Sequence, residues 1–475
     1  MSNKTDAGKT DSGKTRSGFF GRPSVARRKL LAGAAMMPIL AGCSLFDEDE
    51  KPILAGHRTN VLSSGAGLTV DKEDHTPITL PEAVSVSDWP LVGRVTSHVG
   101  SNYRWGGLHP RWTKDIGAGI SEPDLLAWAA LGDFGRGLIQ SPPVVQDGRL
   151  FIMDARCVVR AFSWPHMSHL WTINPKPKKL QSSNVGGGIG VDGDTVYIID
   201  GISQALAVNA ATGKVKWRSD FGTPGRSAPT IADGRVFFAT IDERLFALDA
   251  ATGSQLWSYT ATAAETTVFG QPAPAVVNGV VIAGFGGGDL VAFRAESGEV
   301  VWSDMLGNVG SQASTLNLAC VRGLPVVVDS TVYAVSLAQV MAAVDIRTGR
   351  RLWERAVGSQ NSLLCVGDWL YVLSQDDQLA CIDRLSGHVR WITQLRRFER
   401  VDVSKNIVTW IGPVMAGGQL VCVSTMPGNG VVRVNPTTGA IISVDSTDQV
   451  SFVPPIVVDE QMLIVTNDGK LRSYG

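Results

Sequence analysis

The chain has 475 residues, 44% of them hydrophobic, with 43 basic against 44 acidic residues and a formal net charge of −1. That length supports a large core and more than one ordinary domain, and the balanced charge argues against nucleic acid, whose binders carry a basic surplus. Six scattered cysteines (Cys43, Cys157, Cys320, Cys365, Cys381 and Cys422) form no CxxC pair, so metal and thiol-redox motifs are unsupported and a disulfide framework is not expected at this length.

Residues 1–24 are polar and rich in Gly, Ser and Lys, a composition that does not bury enough apolar surface to fold. Arg27-Arg28-Lys29 then precedes an apolar run of about 13 residues, 30–42, which is signal-peptide length and too short for a spanning helix of ~20 residues. The run ends in Leu40-Ala41-Gly42-Cys43, which resembles a bacterial lipobox and implies that Cys43 becomes the acylated first residue of the mature protein. Ser44 follows, and the absence of Asp there resembles lipoproteins sent on to the outer membrane. The paired arginines partly resemble a twin-arginine signal; ordinary Sec export fits as well. Residues 43–86 begin with Asp47-Glu48-Asp49-Glu50, continue with Ser, Gly and Pro, and lack periodicity, so they read as the acylated cysteine and a flexible tether. Residues 1–42 are then a cytoplasmic extension with the signal peptide, and 87–475 the folded domain.

Within that domain one unit repeats. Its clearest copy covers residues 227–259, with four β-prone runs separated by Asp233-Gly234, Asp242-Glu243-Arg244 and Ala251-Thr252-Gly253. Asp-Gly suits a tight hairpin because glycine accepts positive φ and Asp tolerates it. Four antiparallel strands in a unit this short leave both faces and both edges uncovered, so the unit needs neighbours. They are supplied by a marker, a small residue and Gly followed four residues later by Trp: Gly213 and Trp217, Gly253 and Trp257, Gly298 and Trp302, Gly349 and Trp353, Gly387 and Trp391. Thr438-Gly439 continues the series with Ser443 in place of Trp, and Trp171 marks an earlier unit in which Pro165-His166-Met167-Ser168 replaces Thr-Gly. First-strand patterns such as Pro142-Pro143-Val144-Val145 and Ala273-Pro274-Ala275-Val276 set unit starts near Ser141, Gly187, Ser227, Gln271, Ala313, Gln360, Ile411 and Phe452.

The eighth unit runs out of chain after three strands. Trp112-Thr113-Lys114-Asp115-Ile116-Gly117 repeats the pattern of Trp217-Arg218-Ser219-Asp220-Phe221-Gly222 and is the expected fourth strand, in preference to the rival around Trp128; residues 118–138 are then an inserted loop. An N-terminal strand in the last sheet closes a ring and removes its free edges. The expected fold is all-β: an eight-bladed β-propeller of four-stranded antiparallel blades.

The A-x-D-x-x-T-G-x-x-x-W pattern, cleanest in Ala247-Leu248-Asp249-Ala250-Ala251-Thr252-Gly253…Trp257, resembles the repeat of pyrroloquinoline-quinone alcohol dehydrogenases, and Trp89-Pro90-Leu91-Val92-Gly93 is similar to the start of that propeller. With the lipobox and eight units, the chain resembles the BamB family, the lipoprotein propellers of the machine that inserts β-barrels into the outer membrane; Trp410-Ile411-Gly412-Pro413-Val414 and Arg322-Gly323-Leu324-Pro325 resemble its alphaproteobacterial members. The resemblance implies a non-catalytic scaffold at the outer membrane, facing the periplasm and anchored through acylated Cys43. Its partner would be the periplasmic domains of a BamA-like barrel-forming subunit, with unfolded outer-membrane proteins as a further partner class. It places the contact on loops before the middle blades: Phe221, Thr223, Pro224 and Arg226 in the first, Glu265, Phe269 and Gln271 in the second. The family has an arginine flanked by leucines near Pro224, and aspartates in the second loop.

No catalytic residue, cofactor or metal is expected. The repeat tryptophans read as wedges between blades. His166 and His169 have HxxH spacing in a degenerate turn with no third ligand evident. Gly284-Phe285-Gly286-Gly287-Gly288-Asp289 lies between strands and lacks a Gly-Lys-Ser/Thr ending, so it reads as a hairpin rather than a phosphate loop. The alternative is a periplasmic quinoprotein dehydrogenase-like or ligand-binding propeller using the central funnel. The quinoprotein form would need a quinone-stacking floor, a Ca²⁺ site and usually adjacent cysteines, and no Cys-Cys pair exists.

Overall fold

The computed structural model describes residues 68–119, 139–176, 186–263, 272–307, 319–401, 404–447 and 451–475. They form eight four-stranded antiparallel sheets arranged as the blades of a propeller, with one two-stranded hairpin, Phe398–Arg400 and Lys405–Ile407, between blades 6 and 7. The innermost strands of blades 1 to 8 are Val144–Gln146, Gly188–Asp192, Thr230–Ala232, Ala275–Val277, Val326–Val328, Leu364–Val366, Trp410–Ala416 and Ile456–Val458. The outermost are His169–Ile173, Val215–Asp220, Gln255–Thr260, Val300–Met305, Arg351–Arg355, Val389–Gln394, Ile441–Asp445 and, for blade 8, Pro110–Asp115. Blade 5 begins at Val326 rather than near Ala313, which lies outside the described residues, because the connection from blade 4 is longer than every other link except the one from blade 8 to blade 1.

Each blade follows from local chemistry. In blade 3, Asp233 and Gly234 take φ of 49° and 71°, the left-handed pair that a tight hairpin requires, and the strands on either side pair Ala232 with Arg235. The two middle strands are buried on both faces and read as apolar runs, for example 195–199 in blade 2 and 369–373 in blade 6, every residue of which is buried. The outermost strand alternates, and its tryptophan is the residue it turns into the core. Asp249 organises the third turn: its Oδ1 accepts the N–H groups of Ala251 and Thr252 and the Thr252 hydroxyl, and Asp345 does the same with Arg347 and Thr348.

The ring closes as the sequence predicts. Pro110–Asp115 pairs antiparallel with the last strand of the chain, Lys470–Tyr474, matching Trp112 with Ser473 and Asp115 with Lys470. Ile116 follows, fully buried, its N–H bonded to Gly469 and its carbonyl to the Arg160 guanidinium of blade 1.

The segment before the closing strand is more ordered than its sequence suggests. Residues 84–103 run around the inside of the propeller and hydrogen-bond to the inner strands, or the turns just after them, of seven blades. The bonds join Val86 to Asp459, Trp89 to Val145 in both directions, Pro90 to Val191, Thr96 to Val276, Ser97 to Val327, Gly100 to Cys365 and Tyr103 to Met415, at 2.7–3.2 Å. Blade 3 is met instead by Leu91, which packs in one cluster with Ile231. Backbone groups that would otherwise face the channel are satisfied by this belt.

Residues 68–86, expected to belong to the flexible tether, also lie against the blades. Asp71 exchanges hydrogen bonds with Val389, Asp74 pairs with His388 and Arg390, the Trp369 indole donates to Thr79, and Ile78 and Leu80 pack between blades 6 and 7. A segment without periodicity is fastened here by side chains of a preformed sheet.

Candidate functional site

The first loop singled out by sequence, residues 221–226, joins blade 2 to blade 3 and is braced on both sides. The Phe221 N–H donates to Ser203, Gly225 donates to Asp200, and the Pro224 carbonyl accepts from Ile241. The Phe221 ring is half-buried against Phe238 and Phe246, at 4.8 and 5.7 Å between centroids, and the Arg244 guanidinium covers Phe246 while binding Asp242 at 2.6 Å. Thr223 is buried. Gly222 is exposed and Pro224 half-exposed. The surface left by this loop therefore consists of Phe221, Gly222 and Pro224 beside Asp242 and Arg244.

Arg226 is elsewhere. It is 5% exposed and forms part of the channel wall, with Glu243 beside it. Burial pushes its guanidinium below its ordinary value while the Glu243 carboxylate opposes that shift. Glu243 is itself buried and accepts the Gly286 N–H at 2.7 Å. The sequence places Arg226 among the residues of the contact loop; the structure sets it on the channel wall, apart from the exposed face of that loop. Glu265, Phe269 and Gln271 of the second loop, and Cys43, lie outside the described residues.

The channel itself was not resolved into residues by sequence reading. It holds a funnel of about 220 Å³ whose floor is the belt (Trp89, Val92, Gly93, His98, Gly100 and Tyr103). His98 anchors that floor: its Nδ1 lies 2.8 Å from the Pro325 carbonyl of blade 5, and burial pushes the imidazole down to about 4, so it is neutral at pH 7 and Nδ1–H donates.

The wall has a regular origin. The first hairpin of each blade holds a left-handed residue: Asp147, Gly193, Asp233, Asn278, Asp329, Gly367, Gly417 and Asp459. Seven positions before each stand Gln140, Gly186, Arg226, Gln271, Arg322, Gln360, Trp410 and Phe452. Five of these, Gln140, Arg226, Arg322, Gln360 and Phe452, line the funnel. Among the described residues its lining contains the two arginines and no Asp or Glu. Arg322 donates from Nη1 to Gln360 Oε1 at 3.0 Å, and burial lowers its proton affinity as it does that of Arg226.

Among the described residues no group of three or more His, Cys, Asp or Glu is placed to hold a metal ion. His169 sits on the outermost strand of blade 1 with Nε2 at 2.7 Å from the Thr172 hydroxyl, and His166 is exposed in the preceding turn. Among the described residues the five cysteines are buried and none forms a disulfide.

Comparison with known proteins places these features in a family context. The family model described as outer membrane protein assembly factor BamB matches residues 155–393, from blade 1 to the end of blade 6. The outer membrane protein assembly factor BamB of Yersinia pestis is 25% identical over 455 residues, covering 94% of this chain and 99% of that protein. The crystal structure of BamB from Moraxella catarrhalis superposes with a TM-score of 0.61 at 20% identity, over 78% of this chain and 99% of that one. The quinohemoprotein alcohol dehydrogenase of Comamonas testosteroni superposes with the same TM-score at 13% identity, over 82% of this chain and 81% of that one, a likeness of fold alone.

Proposed function

Because the chain belongs to the BamB family of outer membrane protein assembly factors, we propose that it serves as a non-catalytic scaffold of the barrel-assembly machine, held to the outer membrane by acylated Cys43 and facing the periplasm. Its partner in this reading is the barrel-forming, BamA-like subunit, bound through that subunit's periplasmic domains. The observation that carries the reading is the family match across residues 155–393, which spans the middle blades and both loops expected to make the contact.

The contact surface is the rim around Phe221, Gly222 and Pro224, flanked by Asp242 and Arg244. It suits a partner because its backbone is fixed by bonds to Ser203, Asp200 and Ile241 before any partner arrives, so little ordering entropy is lost on docking. Unfolded outer-membrane proteins are the second class of partner. The outermost strands have an open edge and carry exposed apolar residues directly before their tryptophans, Leu170, Leu256, Val301 and Leu352, which suits addition of a β-strand.

Affinity capture from detergent-solubilised membranes tests the scaffold. Recovery of the barrel-forming subunit supports it, and a preparation that captures no such subunit overturns it. The Cys43→Ser protein is expected in the soluble periplasmic fraction; retention on membranes would count against the anchor.

A further inference from the structure

The funnel goes beyond the scaffold reading, because it faces the axis and its lining includes none of the rim residues Phe221, Gly222, Pro224, Asp242 and Arg244. We propose that it is a binding site for a small organic monocarboxylate with an apolar body, held by Arg322.

The charge balance selects the ligand. Among the described residues two arginines line the funnel and no carboxylate does, but Glu243 stands beside Arg226 and offsets one of the two charges. Among the described residues Arg322 has the neutral amide of Gln360 as its side-chain partner and forms no ion pair. The site therefore carries close to one net positive charge, which matches a monoanion better than a phosphate dianion. A guanidinium presents paired N–H donors in a plane, the arrangement that meets both oxygens of a carboxylate. A partly desolvated charge without a counter-ion is costly, and an incoming carboxylate removes that cost.

The remaining lining selects the body of the ligand. Trp89, Leu324, Phe452 and Pro272 offer apolar surface, and Gln140 and Gln360 offer amides. The volume of about 220 Å³ equals that of roughly seven waters, which suits a molecule of about ten non-hydrogen atoms. The belt closes the floor, so the ligand enters from the side where the chain passes from one blade to the next.

Phenylacetate is a suitable probe, with its neutral amide phenylacetamide and inorganic phosphate as comparisons, titrated calorimetrically into the full chain in detergent. Saturable binding of phenylacetate, at least tenfold weaker binding of phenylacetamide, and loss of at least tenfold in Arg322→Gln are expected. Gln360→Glu places a carboxylate beside Arg322 and is expected to abolish binding while raising the melting temperature, which separates loss of the site from loss of the fold. Equal binding of acid and amide, unchanged binding in Arg322→Gln, or no saturable heat at about 10 mM probe would overturn the proposal. Tighter binding of phosphate than of phenylacetate would overturn the monocarboxylate assignment.

Discussion

Gly253 of blade 3 lies against the indole of Trp217 of blade 2: a Cβ built on this glycine, whose φ is 75°, would stand 2.6 Å from Trp217 Cδ2. The same indole donates from Nε1 to Ala250, in the turn that Gly253 ends. The pair recurs as Gly213 on Trp171, Gly298 on Trp257, Gly349 on Trp302, Gly387 on Trp353 and Gly439 on Trp391. The Gly and Trp that stand four residues apart in sequence thus belong to different junctions. Each glycine receives the tryptophan of the blade before it. The two junctions beside blade 8 lack the pair. Blade 8 has no third turn, because its last strand comes from the N-terminal side, and the blade facing it carries Ser443, bound to Arg433 and Asp445, instead of Trp. On the other side Trp112 meets Trp164 edge-on.

This geometry separates two glycines of one blade. Gly253→Ala adds left-handed strain of about 1–2 kcal/mol and a clash with the indole, and is expected to cost about 3 kcal/mol in all. Gly234, at φ 71° with nothing within 4 Å of a built Cβ, adds only the strain. Denaturant midpoints of Gly253→Ala and Gly234→Ala measure the difference; equal losses would mean that the Trp217 contact contributes nothing.

The propeller was legible because its markers are local: Asp-Gly hairpins, Asp-x-x-Thr-Gly turns and a tryptophan at one register position. What each marker touches was not, since Trp217 and Gly253 meet only once the blades pack. The belt was missed for a related reason. Residues 84–103 have no strand period, and their partners (Val145, Val191, Val276, Val327) are scattered over the chain. Arg226 was legible as a notable residue of the 221–226 loop, but its place on the channel wall was not, because a loop sequence does not reveal which residue already follows the register of the coming strand. Counting back seven places from each left-handed hairpin residue recovers its position on the wall.

Closure supplies a second prediction. Removing residues 111–116 takes away the outermost strand of blade 8 and the buried Ile116 together with its bonds to Gly469 and Arg160. The edge of the last strand and the side of blade 1 are then exposed, so a lower and broader thermal transition is expected by circular dichroism. An unchanged midpoint would show that the ring does not depend on this strand.

His98 makes the belt sensitive to acid. Its folded-state value of about 4 lies below the ordinary 6.5, so the unfolded chain binds a proton first as pH falls. Its contribution to stability is whole above pH 6.5, is lost between there and about pH 4, and totals on the order of 3 kcal/mol. His98→Gln keeps a donor for Pro325 and does not titrate. Between pH 7 and 4 the wild type is expected to lose more stability than this variant, and parallel melting curves across that range would refute the assignment.

Asp377 acts in the opposite direction. Burial pushes its carboxyl up to about 7, with Arg397 nearby opposing the shift and Asp376 adding to it. Between pH 4 and 7 the folded chain holds a proton that the unfolded chain has released, so this contribution falls as pH rises and levels off above 7. Asp377→Asn keeps an acceptor for the Trp410 N–H and suits the positive φ of 56° at this position. The variant is expected to match the wild type at pH 4 and to exceed it by about 2 kcal/mol at pH 8 after allowance for screening. Equal stability at pH 8 would mean that the carboxylate is solvated after all.

The rim and the channel wall can be separated with one residue from each. Pro224 is half-exposed, and its carbonyl, which binds Ile241, survives any substitution. Pro224→Asp puts a charge on the surface beside Asp242 and is expected to change the melting temperature little, while weakening capture of the barrel-forming subunit at least tenfold, about 1.4 kcal/mol. Arg226→Ala removes a buried guanidinium and leaves Glu243 buried beside an empty place, so it should cost about 3 kcal/mol of stability. In Arg226→Ala samples that remain folded, capture should be near wild type. The reverse pattern, with Arg226→Ala folded but unable to capture and Pro224→Asp still able, would place the partner contact inside the funnel and not on the rim.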